Sequence, residues 1–241
     1  MSANIEAFGN MMQNAIYHFW KSRFEAAQKQ IERGTADQGN RSSVTAGKNL
    51  DGFVAMIRQL IIDNGIKDTE VLTDGRTDLT IPGFYRPTKN WDLLVVSHGK
   101  LMAAIEFKSQ VGPSFGNNFN NRVEEAIGNA IDLNTAFREG VFGDATKPFL
   151  GYFFILEECP KSMSPVGFHS PFFRALPEFN KASYAMRYEI LCRKLVQEQL
   201  YDAATLVLTE NTGSWRDLSD LTSAKRFAAT LAGKISGMAL E

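Results

Sequence analysis

Cysteine is scarce in this sequence: Cys159 and Cys192 are the only two among 241 residues. That excludes a disulfide framework and a cysteine-rich zinc module, and suits buried thiols in a reducing compartment. Histidine is too sparse for a metal centre, since His18, His98 and His169 lie far apart and not at ligand spacing. Neither sign of charge dominates. The 26 lysines and arginines against 27 acidic residues leave a net charge of −1. No overall basic field draws the chain to nucleic acid, so any such contact must be a local patch. Long apolar runs are missing too. Phe149 to Leu156, interrupted by Gly151, is far short of the roughly 20 residues that span a bilayer. The first 20 residues carry Asn4, Glu6, Asn10, Gln13, Asn14 and His18 where a signal peptide has its apolar core. Neither a P-loop nor a GxGxxG occurs, so nothing supports a nucleotide cofactor.

What is present is an ordinary globular balance, 44% hydrophobic and 22% charged, expected in a cytoplasmic protein without a membrane segment. Apolar residues recur at helical spacing over 4–33 and 48–64. Between them Gly34 to Gly47, GTADQGNRSSVTAG, reads as a flexible polar loop and a hinge that opens around a ligand. The period then shortens. Leu79 to Ile81, Trp91 to Val96 and Leu101 to Phe107 read as strands, the last two joined through Ser97-His98-Gly99. Residues 119–138 return to helical spacing, and Phe149 to Leu156 suits a central strand buried on both faces. Pro160, Pro165, Pro171 and Pro177 mark an ordered loop. Then come a helix over 180–202, a strand from Ala203 to Thr209, and a helix over 222–238. The order implies one α/β domain over 1–241, a mixed central sheet flanked by helices. Within it, 1–46 is a helical N-terminal extension plus loop, and 47–241 is the core.

The most informative stretch is Asn90 to Gln110, NWDLLVVSHGKLMAAIEFKSQ. Side chains alternate faces along a strand, so Glu106 and Lys108 share one face while Ile105 and Phe107 take the other. Whether Asp92 joins them depends on the hairpin. A two-residue His98-Gly99 turn pairs 97 with 100 and sets Asp92 opposite Ile105, on the wrong face. A three-residue loop pairs 96 with 100 and sets Asp92 opposite Ala104, diagonal to Glu106, with Gly99 in the left-handed position. Two carboxylates that close repel unless a cation joins them, which makes a hard-oxygen site for Mg²⁺. A neighbouring ammonium orients water and offsets charge developing on a phosphate. Asp92, then Glu106-Phe107-Lys108, follows the logic of the PD-(D/E)xK nucleases, with Trp91 where the family has its proline. The Phe107 carbonyl is a further candidate ligand, and Gln110 lies on the same strand face to brace water or a phosphate. Asp51, Glu70 and Asp78 are spare upstream acids among which the sequence does not choose.

Two polar clusters flank the trio. Arg86 and Lys89, in FYRPTKNW, stand just before Asp92, placed for phosphates near a cut. After the strand, Asn117, Asn118, Asn120, Asn121 and Arg122 fall within six positions at the entry to a helix. Asparagine pairs with adenine and arginine with guanine, although asparagine is equally at home in turns and caps.

In GFYRPTKNWDLLVV and AAIEFKSQVGPSFGNNFNNRVEEAIGNA the sequence resembles the XhoI family of type II restriction endonucleases. The resemblance implies a restriction-endonuclease-like fold and a homodimer. It also implies Mg²⁺-dependent hydrolysis of double-stranded DNA at the palindrome CTCGAG, leaving 5′ overhangs. The family's active-site pattern carries onto Asp92, Glu106 and Lys108. A repair or junction nuclease, or a non-cleaving DNA-binding protein on the same fold, is the alternative reading.

Overall fold

In the computed structural model, residues 5–32, 49–64, 69–75, 77–143 and 146–238 are described. The expected polar loop from Gly34 to Gly47 lies outside them. Helix α1 (Ile5–Glu32) is followed by α2 (Asp51–Asp63), then strands β1 (Thr69–Leu72), β2 (Thr80–Pro82), β3 (Thr88–Asn90), β4 (Leu93–Ser97) and β5 (Lys100–Gln110). Next come α3 (Phe115–Arg138), β6 (Phe149–Glu157), the short α4 (Pro160–Met163), α5 (Tyr184–Gln197), β7 (Ala203–Thr209), β8 (Trp215–Asp217) and α6 (Ala224–Met238). Six strands form one mixed sheet in the order β1-β4-β5-β6-β7-β8, while β2 and β3 pair separately as a hairpin. The β5–β6 and β6–β7 pairs are parallel, and the other pairs of the sheet are antiparallel.

Strand alternation divides the core into two layers. Ile105, Phe107, Phe149, Phe153 and Val207 point to a layer shared with Met12, Ile16 and Phe19 of α1, Phe53 and Ile57 of α2, and Phe227 and Leu231 of α6. Leu94, Ala104, Tyr152, Phe154 and Leu206 point the other way, against Phe115, Ala126 and Leu133 of α3 and Tyr188 and Leu195 of α5. Burial on both faces explains the unbroken apolar run of β6. Gly151 is the exception in that run, because a Cβ there would stand 2.8 Å from the Phe227 ring. Its absence lets α6 pack directly on the sheet.

Several boundaries differ from expectation. Helix α3 begins at Phe115, not near 119, because Phe115 and Phe119 both pack inward and draw the asparagine-rich segment into the helix. Helix α5 is shorter than 180–202. Lys181 and Gln199 adopt positive φ on either side of it, and Ser183 caps it by accepting from Met186 N. The edge strands β1 and β8 went unexpected, being four and three residues long with only partial burial to set a pattern. Among the described residues no helix is long and apolar enough to cross a membrane.

Candidate active site

The β4–β5 hairpin closes through a two-residue turn, with Ser97 paired to Lys100 and both His98 and Gly99 at positive φ, the primed geometry that suits strand twist. The three-residue loop does not form. The two-residue turn alone would send Asp92 to the wrong face, but the register shifts between Val95 and Val96. Val96 pairs with Leu101 and Val95 with Ala103, leaving Met102 as the extra residue of a β-bulge. Met102 and Ala103 consequently both face the α1 layer. Beyond the bulge Leu93 pairs with Ile105, so Asp92 follows at the level of Glu106, on the α3 side of the sheet.

There the trio meets. Asp92 Oδ2 accepts from Phe107 N at 2.8 Å and lies 3.8 Å from Lys108 Nζ. Lys108 Nζ donates to Glu106 Oε1. Glu106 is 4% exposed, and its other oxygen, Oε2, accepts from Lys89 Nζ at 2.7 Å. Burial, reinforced by the Glu106 charge, pushes the Asp92 carboxyl above the usual carboxylate range. Burial would do the same to Glu106, but the ammonium groups of Lys108 and Lys89 hold it below that range. Burial would lower Lys108, yet Glu106 and Asp92 together raise it, so it stays an ammonium.

Asp92, Phe107 and Lys108 border an open cleft of about 810 Å³. Asp51 and Arg58 of α2 lie on one side of it and Arg122 of α3 on the other. Asp51 is the only one of the three spare acids to reach this cleft, since Glu70 and Asp78 do not line it. The donors suit a small, hard divalent cation. Asp92 is 40% exposed toward the cleft. In an extended strand the N–H and C=O of one residue face the same edge, so the Phe107 carbonyl points past the end of β4 toward Asp92, as its N–H does. Among the described residues no three acidic, histidine or cysteine side chains converge. Two carboxylates and a carbonyl, with water and a substrate phosphate completing the shell, is how Mg²⁺ is commonly held.

The flanking polar residues divide. Arg86 is engaged within the chain, donating through Nε to Asp132 Oδ2 at 2.7 Å and through Nη2 to Asn129 Oδ1 at 2.8 Å. Asp132 Oδ1 also accepts from the backbone N–H of Phe84 and Tyr85 at 2.9 and 2.7 Å. This ties the β2–β3 hairpin to α3. Gly83 is required in the knot, because a Cβ would come within 2.4 Å of Asp132 Oδ2. Sequence reading passed over Asn129 and Asp132; two buried polar residues one turn apart on an otherwise apolar helix face were the available signal. Lys89 faces Glu106, not the cleft. Gln110 is buried, its amide donating to the carbonyls of Val111 and Ser114 at 3.0 and 3.3 Å, so it fastens the strand end to the start of α3. Asn117, Asn120 and Asn121 are exposed on the first turns of α3 and Asn118 is half-buried. Arg122 pairs with Glu125 while its buried Nε finds no partner among the described residues.

The same chain is similar to known enzymes. Type II restriction enzyme XhoI of Xanthomonas vasicola is 50% identical over 196 residues, 81% of this chain and 78% of that enzyme. Type II restriction enzyme BstVI of Geobacillus stearothermophilus is 48% identical over 182 residues, 73% of this chain and 80% of that enzyme. Type II restriction enzyme AbrI of Azospirillum brasilense is 48% identical over 174 residues, 72% of this chain and 78% of that enzyme. No solved structure matches. Residues 29–219 match the family described as Restriction endonuclease XhoI, and with that span and those identities the chain belongs to the XhoI family of restriction endonucleases.

Proposed function

We propose that this protein is a Mg²⁺-dependent type II restriction endonuclease that cuts double-stranded DNA at CTCGAG as a homodimer, leaving 5′ overhangs and 5′-phosphates. The observation that carries the reading is the meeting of Asp92, Glu106 and Lys108 at the carboxyl end of β5, in a chain of this family. Asp92, Glu106 and the Phe107 carbonyl would hold the ion. When bound it supplies Lewis-acid stabilisation of phosphate charge and a more acidic water. Lys108, as an ammonium, would orient the attacking water and offset negative charge on the oxygens of the pentacoordinate phosphorus. Attack expels the 3′ oxygen and leaves the phosphate on the 5′ side. Asn117, Asn120 and Asn121, exposed on α3, would make groove contacts, and Arg122, which lines the cleft, would meet a phosphate or a base. The in-chain bonds of Arg86, Lys89 and Gln110 give those three a supporting role.

The test is digestion of long unmethylated duplex DNA, with Mg²⁺ and with EDTA, followed by sequencing of the fragment ends. Cuts confined to CTCGAG, dependent on Mg²⁺ and carrying 5′ overhangs, are expected. Cuts at another discrete sequence keep the chemistry and overturn the specificity. Tight DNA binding by folded protein with no cutting overturns the catalytic reading.

A further inference from the structure

Lys89 is an unusual occupant of the site. Its ammonium has three partners: Glu106 Oε2 at 2.7 Å, the Asn90 carbonyl at 3.0 Å, and the Trp91 ring with its centroid 4.3 Å away. A carboxylate, a carbonyl and an aromatic face together make a cation-binding cradle, and this chain fills it with its own side chain. The lysine is 10% exposed and is delivered by β3, whose hairpin is clamped to α3 by Asp132. Both oxygens of Glu106 are thereby taken by ammonium groups, Oε1 by Lys108 and Oε2 by Lys89. Asp92 and Glu106 bring two negative charges, and Lys89 and Lys108 bring two positive ones. The four-residue cluster is therefore electroneutral before any metal arrives.

We propose that Lys89 is a positioning residue that acts as a resident counter-ion, keeping divalent-cation affinity of the DNA-free protein low and coupling metal entry to the arrival of a DNA phosphate. This rests on Asp92 and Glu106 being the metal ligands. A divalent ion entering a neutral cluster leaves two excess positive charges in a largely buried place, which is unfavourable. A phosphate beside the cluster supplies part of the missing negative charge. Without Lys89 the cluster would carry one net negative charge and attract the ion unaided. At a separation of about 5 Å, even the full screening of bulk water leaves such a charge change worth about tenfold in affinity for a divalent ion, and a lower dielectric only enlarges it.

The experiment is titration of DNA-free protein with Mn²⁺, following loss of the free-ion electron paramagnetic resonance signal, for wild type and three variants. Lys89→Met removes the charge and the hydrogen bond. Lys89→Gln removes the charge but keeps a donor toward Glu106, and Lys89→Arg keeps the charge. Tightening by about tenfold in the Met and Gln variants, with Arg close to wild type, is expected. Circular dichroism establishes that each variant is folded, and either neutral variant alone suffices for the comparison. Wild-type affinity in a folded neutral variant overturns the proposal, as does Gln behaving like Arg, which would make the hydrogen bond the operative feature. Asp92→Asn, alone and combined with Lys89→Gln, separates the two levels. If Asp92→Asn abolishes Mn²⁺ binding while the Lys89 variants leave it unchanged, only the counter-ion role fails. If Asp92→Asn leaves Mn²⁺ binding intact, the assignment of the metal ligands fails and the counter-ion role with it.

Discussion

Three side chains of one site, each ionisable, have their charges set by different neighbours. Asp92 pays the electrostatic cost: its carboxyl is lifted by burial and by Glu106, so its charge works against the metal-free fold. An asparagine there keeps an oxygen for the Phe107 N–H and removes that repulsion. Asp92→Asn is therefore expected to abolish cleavage while leaving the melting temperature in EDTA unchanged or higher by up to about 4 °C. Differential scanning calorimetry against a plasmid-cleavage assay checks both, and a drop of several degrees would make Asp92 a structural residue. Lys108 differs in kind, since Glu106 and Asp92 raise its pKa and the fold favours its ammonium. Lys108→Ala should lower the cleavage rate by at least about 100-fold and leave duplex binding, read by gel shift in Ca²⁺, within a few-fold of wild type. Wild-type cleavage by this variant would remove Lys108 from the mechanism.

Between these residues and the sheet, the element that matters most is the β2–β3 hairpin, because it carries Lys89 to Glu106 and is held by one aspartate. Burial alone would raise Asp132, but the Arg86 guanidinium and the backbone N–H groups of Tyr85 and Phe84 hold its carboxyl below the usual range. A carboxyl depressed in the folded state adds stability that is present above its unfolded pKa and is lost as the pH falls through the folded one. Asp132→Asn should cost about 2–3 kcal/mol near neutral pH. The melting-temperature gap to wild type should be constant above about pH 5 and narrow only as the pH falls below the unfolded carboxyl pKa of about 3.9 toward the lower folded one, and a gap that does not narrow in acid would count against the charge as its cause. The same hairpin marks what the sequence could reveal. Elements with a strong apolar period were legible: α1, β6, β7 and α6 fall within a few residues of expectation. The trio was legible as residue types, and its shared face was not, because it depends on the bulge at Met102, and one extra residue leaves no mark in an apolar run. Lys89 was legible as close to the site in sequence. Its partner, 17 positions on, depends on how the hairpin folds back, and that is fixed by Asp132 from another helix.

At the scale of the whole molecule, the parallel crossovers through α3 and α5 put both helices on the face of the sheet that bears the trio. The cleft opens where this layer meets α2 of the other. One such cleft serves one phosphodiester bond, whereas a palindrome presents two equivalent bonds related by a two-fold axis. The proposed homodimer would place one site on each strand. This arithmetic makes the catalytic step separable from assembly. If wild-type chains are mixed with Lys108→Ala chains in equal amounts and allowed to exchange partners, about half of the dimers should carry a single competent site by random pairing. On the proposed reading such a dimer would bind CTCGAG as tightly as the parent and cut one strand. Supercoiled plasmid with a single site should accumulate as open circles, and sequencing should place the nick at the bond normally cut, on either strand with equal frequency. Relaxation straight to linear DNA, with open circles no more abundant than for wild type alone, would mean that one cleft cuts both strands in turn, and the two-fold assembly would then have no catalytic purpose.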